Sequence, residues 1–209
     1  MMRYFPQTVY FRKTWRSYQA RVLDRLQDHL VDDRLHVVAP PGSGKTVLGL
    51  EIVRRLNRPT LILAPTLIIR DQWIERFVQL FLPEGADKPA WITTDLKKPG
   101  FLTVATYQAV HTAYAGERPS ADTAGTANRV GGRDELIKKL SAVGIRTLVV
   151  DEAHHLRSAW WRSLVEVRDA LVDLKVVALT ATPPYDVTIA EWERYQEFCG
   201  PVDYEIAVP

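Results

Sequence analysis

The stretch Val37-Val38-Ala39-Pro40-Pro41-Gly42-Ser43-Gly44-Lys45-Thr46 joins an apolar run to a glycine-rich ending that closes on lysine and threonine. Between a strand and a helix, such an ending builds a cradle for phosphate groups. Gly42 and Gly44 let the backbone curl around Pro41 and Ser43, so that successive N–H groups point inward at anionic oxygens. Lys45 sets an ammonium against the terminal phosphates of a nucleotide such as ATP, and Thr46 offers a hydroxyl to Mg²⁺. The N-terminus of the following helix adds its own attraction for the phosphate charge. Ala39 stands where the general pattern has its first glycine. The alternative is a Pro-Gly turn with a chance lysine, and the apolar run before and helical spacing after weigh against it.

A phosphate cradle needs a carboxylate on its metal side. Leu148, Val149 and Val150 form an apolar strand that delivers Asp151 and Glu152 at its C-terminal end, the edge where open parallel sheets bind ligands. Asp151 is the candidate Mg²⁺ holder, acting through the ion's waters. Glu152 is the candidate that orients and polarises an attacking water. His154 and His155 follow directly. Two adjacent histidines with no cysteine or third histidine nearby make a poor zinc site. His154 is better read as a link between the phosphate site and another segment.

These residues need a frame, and the chain alternates the elements of one. HVVAP (36–40), TLILAP (60–65), FLTVATY (101–107), TLVVDE (147–152) and KVVALTAT (175–182) read as strands buried on both faces. Between them, Tyr18, Val22, Leu26 and Leu30 recur at helical spacing. So do Ile74, Val78 and Leu82, with Phe77 and Phe81 beside them; residues 163–174 form a third helical candidate. The expected fold is α/β, a parallel sheet with helices on both faces. The tail predicts a helix, a Gly-Pro break and one more strand.

Bulk properties bound the rest. A chain of 209 residues holds one well-buried α/β domain, expected to span 1–209. The net charge of +2 gives no general attraction for nucleic acid, so any such partner must be held locally. Cys199, the single cysteine, rules out an internal disulfide and fits a reducing, cytoplasmic setting. No run reaches the roughly 18 apolar residues of a membrane span. Residues 116–132, GERPSADTAGTANRVGG, carry one strongly apolar side chain, Val130, and are expected to form a mobile insertion.

Taken together, APPGSGKT, DEAHH and TATP resemble, in order and spacing, the first motor domain of superfamily 2 helicases and translocases. The nearest flavour is the DEAH-type group of type I and type III restriction motor subunits and repair helicases, where an Ala-first cradle is usual. Arg16-Ser17-Tyr18-Gln19 resembles the group's upstream motif, which implies that Gln19 reads adenine. LAPTLIIRDQW (63–73) and VATYQAV (104–110) resemble motifs Ia and Ib. The resemblance implies that Thr66, Arg70 and Thr106 contact nucleic-acid phosphates. It implies that Thr180 and Thr182 couple the nucleotide state to the strand-binding surface. The competing reading makes Leu67, Ile68 and Trp73 core and Arg70 a solvated helix face.

The resemblance therefore implies a RecA-like P-loop fold and an ATP- and Mg²⁺-binding motor domain acting on nucleic acid, DNA favoured, in a setting such as restriction or phage defence. The family's second RecA-like domain supplies arginines to the nucleotide. No Q-x-x-G-R-x-x-R segment is visible, so the chain is expected to be the excised N-terminal half of a longer protein. The alternative is a nucleotide-gated P-loop ATPase or interaction module acting on a protein partner.

Overall fold

Successive residues of a strand face opposite sides of a sheet, so a strand that is apolar at every position must be covered twice. The computed structural model describes residues 2–116, 132–155, 158–184 and 187–206. Most of the 116–132 insertion lies outside the described residues. Along the chain run α1 (Ser17–Arg25), β1 (Arg34–Val38), α2 (Lys45–Leu56), β2 (Thr60–Ala64), α3 (Leu67–Phe81), β3 (Ile92–Thr93) and β4 (Leu102–Thr106). They are followed by α4 (Tyr107–Ala115), α5 (Arg133–Val143), β5 (Thr147–Asp151), α6 (Ser158–Ala170), β6 (Lys175–Thr180), α7 (Ile189–Cys199) and β7 (Tyr204–Glu205).

The described strands form one sheet of seven in the order β3-β4-β2-β5-β6-β1-β7, and each pairing is parallel. Two cores lie on its faces, and β2 shows the division. Ile62 and Ala64 enter the core under α1, α2 and α3, whereas Leu61 and Leu63 enter the one under α4, α5, α6 and α7. The expected RecA-like α/β architecture is the observed one.

The aromatic stripe of α3 anchors the first core. Trp73, Phe77 and Phe81 recur every four residues and are fully buried. Burial of each contributes about 1.5–3 kcal/mol, against a few tenths for helix propensity, so the stripe sets the helix's orientation. Trp73 reaches the sheet by crossing α2 at Gly49. A Cβ built on Gly49 would lie 2.6 Å from both Trp73 Cη2 and Leu179 Cδ1. On an open helix surface Gly→Ala stabilises by about 1 kcal/mol. Here overpacking of about 1–3 kcal/mol wins, and Gly49→Ala is expected to lower the thermal midpoint by several degrees, as read by circular dichroism.

Three expectations are corrected. The helical spacing from Tyr18 to Leu30 does not run through, because α1 stops at Arg25. Gln27 N–H donates to Asp24 O at 3.2 Å, a tightened turn that leads into a short 3₁₀ segment (Asp28–Val31) and redirects the chain into β1. The third helix is Ser158–Ala170, not 163–174. Left-handed backbone at Asp173 (φ 53°) lies in the turn that leads from it into β6. Leu67 and Ile68 are not core: they are 59% and 72% exposed at the start of α3, while Trp73 is buried as the competing reading had it.

Candidate active site

Parallel pairing brings the C-terminal ends of β5, β6 and β1 side by side. Ala39 N–H donates to Thr180 O at 2.8 Å, fastening the root of the glycine-rich loop to the end of β6. Gly42 and Gly44 both take φ 78°, the left-handed region that glycine tolerates, and α2 begins at Lys45. A side chain at Gly44 is excluded twice, because its Cβ would also lie 2.5 Å from Gln19 Nε2.

Gln19 is buried against this loop. Its Nε2 donates to Ser43 O at 3.3 Å, and its Oε1 accepts from Arg16 N–H at 3.2 Å. Tyr18 O–H donates to the same Ser43 carbonyl at 2.6 Å. The upstream Arg-Ser-Tyr-Gln segment is therefore a brace for the loop. The Ser43 hydroxyl is buried with no hydrogen-bond partner among the described residues.

Lys45 and Glu152 form an ion pair, their side chains only 11% and 20% exposed. The second Glu152 oxygen accepts from Ala181 N–H at 3.2 Å and lies 3.4 Å from His154 Nδ1. The Glu152 backbone is left-handed (φ 54°), and its N–H donates to Leu179 O at 2.8 Å. His154 Nδ1 sits 2.7 Å from Thr180 Oγ1, whose single proton is donated to Thr182 O at 2.9 Å. Thr180 can then only accept from the imidazole, so Nδ1 carries the hydrogen. His154, Thr180 and Thr182 thus form one hydrogen-bonded line ending beside Glu152.

Asp151 is 2% exposed. Its Oδ2 accepts from Trp73 Nε1–H at 2.8 Å, and its backbone carbonyl accepts from Tyr107 O–H at 2.8 Å. Oδ1 is buried and has no partner among the described residues. Burial, helped by neighbouring Glu152, raises the carboxyl pKa to about 6 although Trp73 and Lys45 oppose it. Trp73 and Tyr107 were not singled out as functional by sequence reasoning. The signal was chemical: a buried indole N–H or phenol O–H needs a hydrogen-bond partner.

The residues expected at a nucleic-acid face divide differently. Thr66 and Thr106 cap α3 and α4, accepting from Ile69 N–H at 3.3 Å and Ala109 N–H at 3.1 Å. Ala64 pairs with Thr106 across β2 and β4, so both caps lie at the same sheet edge as the glycine-rich loop. Arg70 pairs with Asp71 at 2.7 Å and is partly exposed. Among the described residues no helix is long and apolar enough to cross a membrane.

The chain is 28% identical over 193 residues to the DNA 3'-5' translocase XPB2 of Sulfurisphaera tokodaii, covering 92% of this chain and 36% of that one. It is 28% identical to putative helicase 055L of Frog virus 3, over 80% of this chain and 33% of that one. It thus spans about a third of the length of these relatives. The solved helicase domain of Pyrococcus furiosus Hef superposes with a TM-score of 0.62 at 20% identity, over 91% of this chain and 37% of that one. Residues 12–185 match the family described as type III restriction enzyme, res subunit. That span holds the glycine-rich loop, Asp151 and Glu152, and the Thr180–Thr182 turn, and the chain belongs to this family, whose fold is the N-terminal motor of superfamily 2 helicases.

Proposed function

We propose that the chain is the ATP-binding N-terminal motor domain of a DNA helicase or translocase, working with a second RecA-like domain in a longer protein. The observation that carries this reading is the Lys45–Glu152 pair, set between the glycine-rich loop and the end of β5. The share of its relatives that the chain spans supports the second domain, and the printed name of the Sulfurisphaera relative favours DNA.

Lys45 meets the terminal phosphates of ATP and releases Glu152 as it does so. Loop N–H groups from Gly42 to Thr46, with Pro41 shaping the turn and Ser43 adding a hydroxyl, surround the phosphates. Gln19, fixed on the loop, keeps a second amide hydrogen for the adenine edge. Thr46 and Asp151 would hold Mg²⁺. The residues fit it, since Asp151 Oδ1 is a buried acceptor that a metal-bound water would satisfy. When bound, the ion neutralises phosphate charge during transfer. Glu152 takes a proton from the attacking water. His154, Thr180 and Thr182 carry the state of Glu152 to the turn after β6, where coupling to the strand-binding surface begins.

Thr66, Arg70 and Thr106 form the phosphate-facing edge, with the first-turn N–H groups of α3 and α4. Arg70→Ala is expected to weaken DNA binding by a similar factor on unrelated sequences and to reduce the salt slope by about 0.9. Filter binding across a salt series checks it; an unchanged slope would mean that Arg70 serves only Asp71. Thr106→Ala is a poorer probe, because loss of the cap alone costs about 1 kcal/mol of stability.

A further inference from the structure

We infer that Trp73 and Tyr107 are positioning residues for Asp151, holding its carboxylate in the one rotation that leaves Oδ1 free for a metal-bound water. The inference rests on the magnesium reading of Asp151 given above. A carboxylate on a strand end has a broad, roughly two-fold terminal torsion. Left alone, it would turn to find whatever donor its surroundings offered. Here the indole N–H of Trp73 claims Oδ2 at 2.8 Å, while Oδ1 has no partner among the described residues.

Each positioning group is itself fixed. Trp73 is fully buried and lies over Gly49, where any side chain would strike the ring. It can reach Asp151 only because α2 presents bare backbone at that crossing. Tyr107 secures the main chain. Asp151 closes β5 one residue past the last pairing with β2, between Leu63 and Val150, and the Tyr107 hydroxyl bonds its carbonyl. The Tyr107 ring is fully buried and stacks on Trp160 with centroids 6.0 Å apart and planes at 18°. The carboxylate is thus held from α3 and its backbone from α4, by donors that lie in the 63–73 and 104–110 stretches rather than in the glycine-rich loop or at the end of β5.

The test compares ADP binding by calorimetry, with Mg²⁺ and with EDTA, in the wild-type chain, Trp73→Phe and Tyr107→Phe. Phenylalanine removes each donor; it keeps the ring at Tyr107 but gives up the outer indole ring over Gly49 at Trp73, so the EDTA arm serves to read any packing loss. Trp73→Phe should lose about 10-fold or more of the magnesium-dependent gain in affinity, as partners behind a metal ligand do. Its affinity in EDTA should stay that of the wild type, which a merely structural loss would not allow. Tyr107→Phe should lose less, since it acts on the backbone. A second readout needs no variant to bind: in ¹⁵N-labelled wild type, the Trp73 indole resonance should move with ADP and Mg²⁺ and stay put with ADP in EDTA. A full magnesium-dependent gain in Trp73→Phe, or an indole signal blind to the ion, would overturn the positioning role. A wild type with no magnesium-dependent gain would instead overturn the magnesium reading beneath it.

Discussion

Glu152→Gln is expected to bind ATP at least as tightly as the wild type and to lose turnover by about 10²–10⁴-fold, the usual weight of a general base. The binding half follows from the resting ion pair. Glu152 holds Lys45, so an incoming phosphate must displace a carboxylate that an amide would not replace in charge. The catalytic half follows from what the amide lacks. Gln can keep one acceptor for Ala181 N–H, but it has no basic oxygen left to take a proton from water. Nucleotide affinity from fluorescent-analogue titration and turnover from phosphate release separate the two halves. Turnover near the wild-type level would remove Glu152 from the base role.

Lys45→Ala should act on the other side of the same contact. A hydrogen bond to a charged group is worth about 1.5–3 kcal/mol, so nucleotide affinity should fall roughly 10- to 150-fold. Alanine also leaves Glu152 without its cation in a site where it is only 20% exposed. The carboxylate then repels incoming phosphate, which places the expected loss at the upper end of that range. Equal loss of affinity in Lys45→Ala and Glu152→Gln would contradict the division of labour, because both would then serve binding alone.

What the sequence made legible was chemistry that depends on local order. In the proposed reading the glycine-rich loop grips phosphate with backbone N–H groups, so its spacing must be written in consecutive residues, Gly42 to Thr46. Asp151 and Glu152 were equally plain, since a strand's length sets where its carboxylates emerge. The partners of Asp151 were not. Trp73 and Tyr107 stand 78 and 44 residues from it, and only the packing of α3 over Gly49 and the reach of Tyr107 from the start of α4 bring them near. Apolar spacing likewise misplaced Leu67 and Ile68, because a pattern of types cannot say where a helix leaves the core. Gln19 shows a subtler limit. Resemblance implied that it reads adenine, whereas its role as a brace through Ser43 emerged only in three dimensions.

In the proposed motor, a nucleotide at Lys45, Asp151 and Glu152 drives work on nucleic acid. ATP turnover by the full-length protein, measured alone, with duplex DNA, with single-stranded DNA and with RNA, decides whether it does. Basal turnover should be slow, rise severalfold or more with DNA, and be lost in Glu152→Gln with or without it. Turnover that is the same in the presence and absence of every nucleic acid would contradict the motor reading, and would favour an ATPase acting on a protein partner.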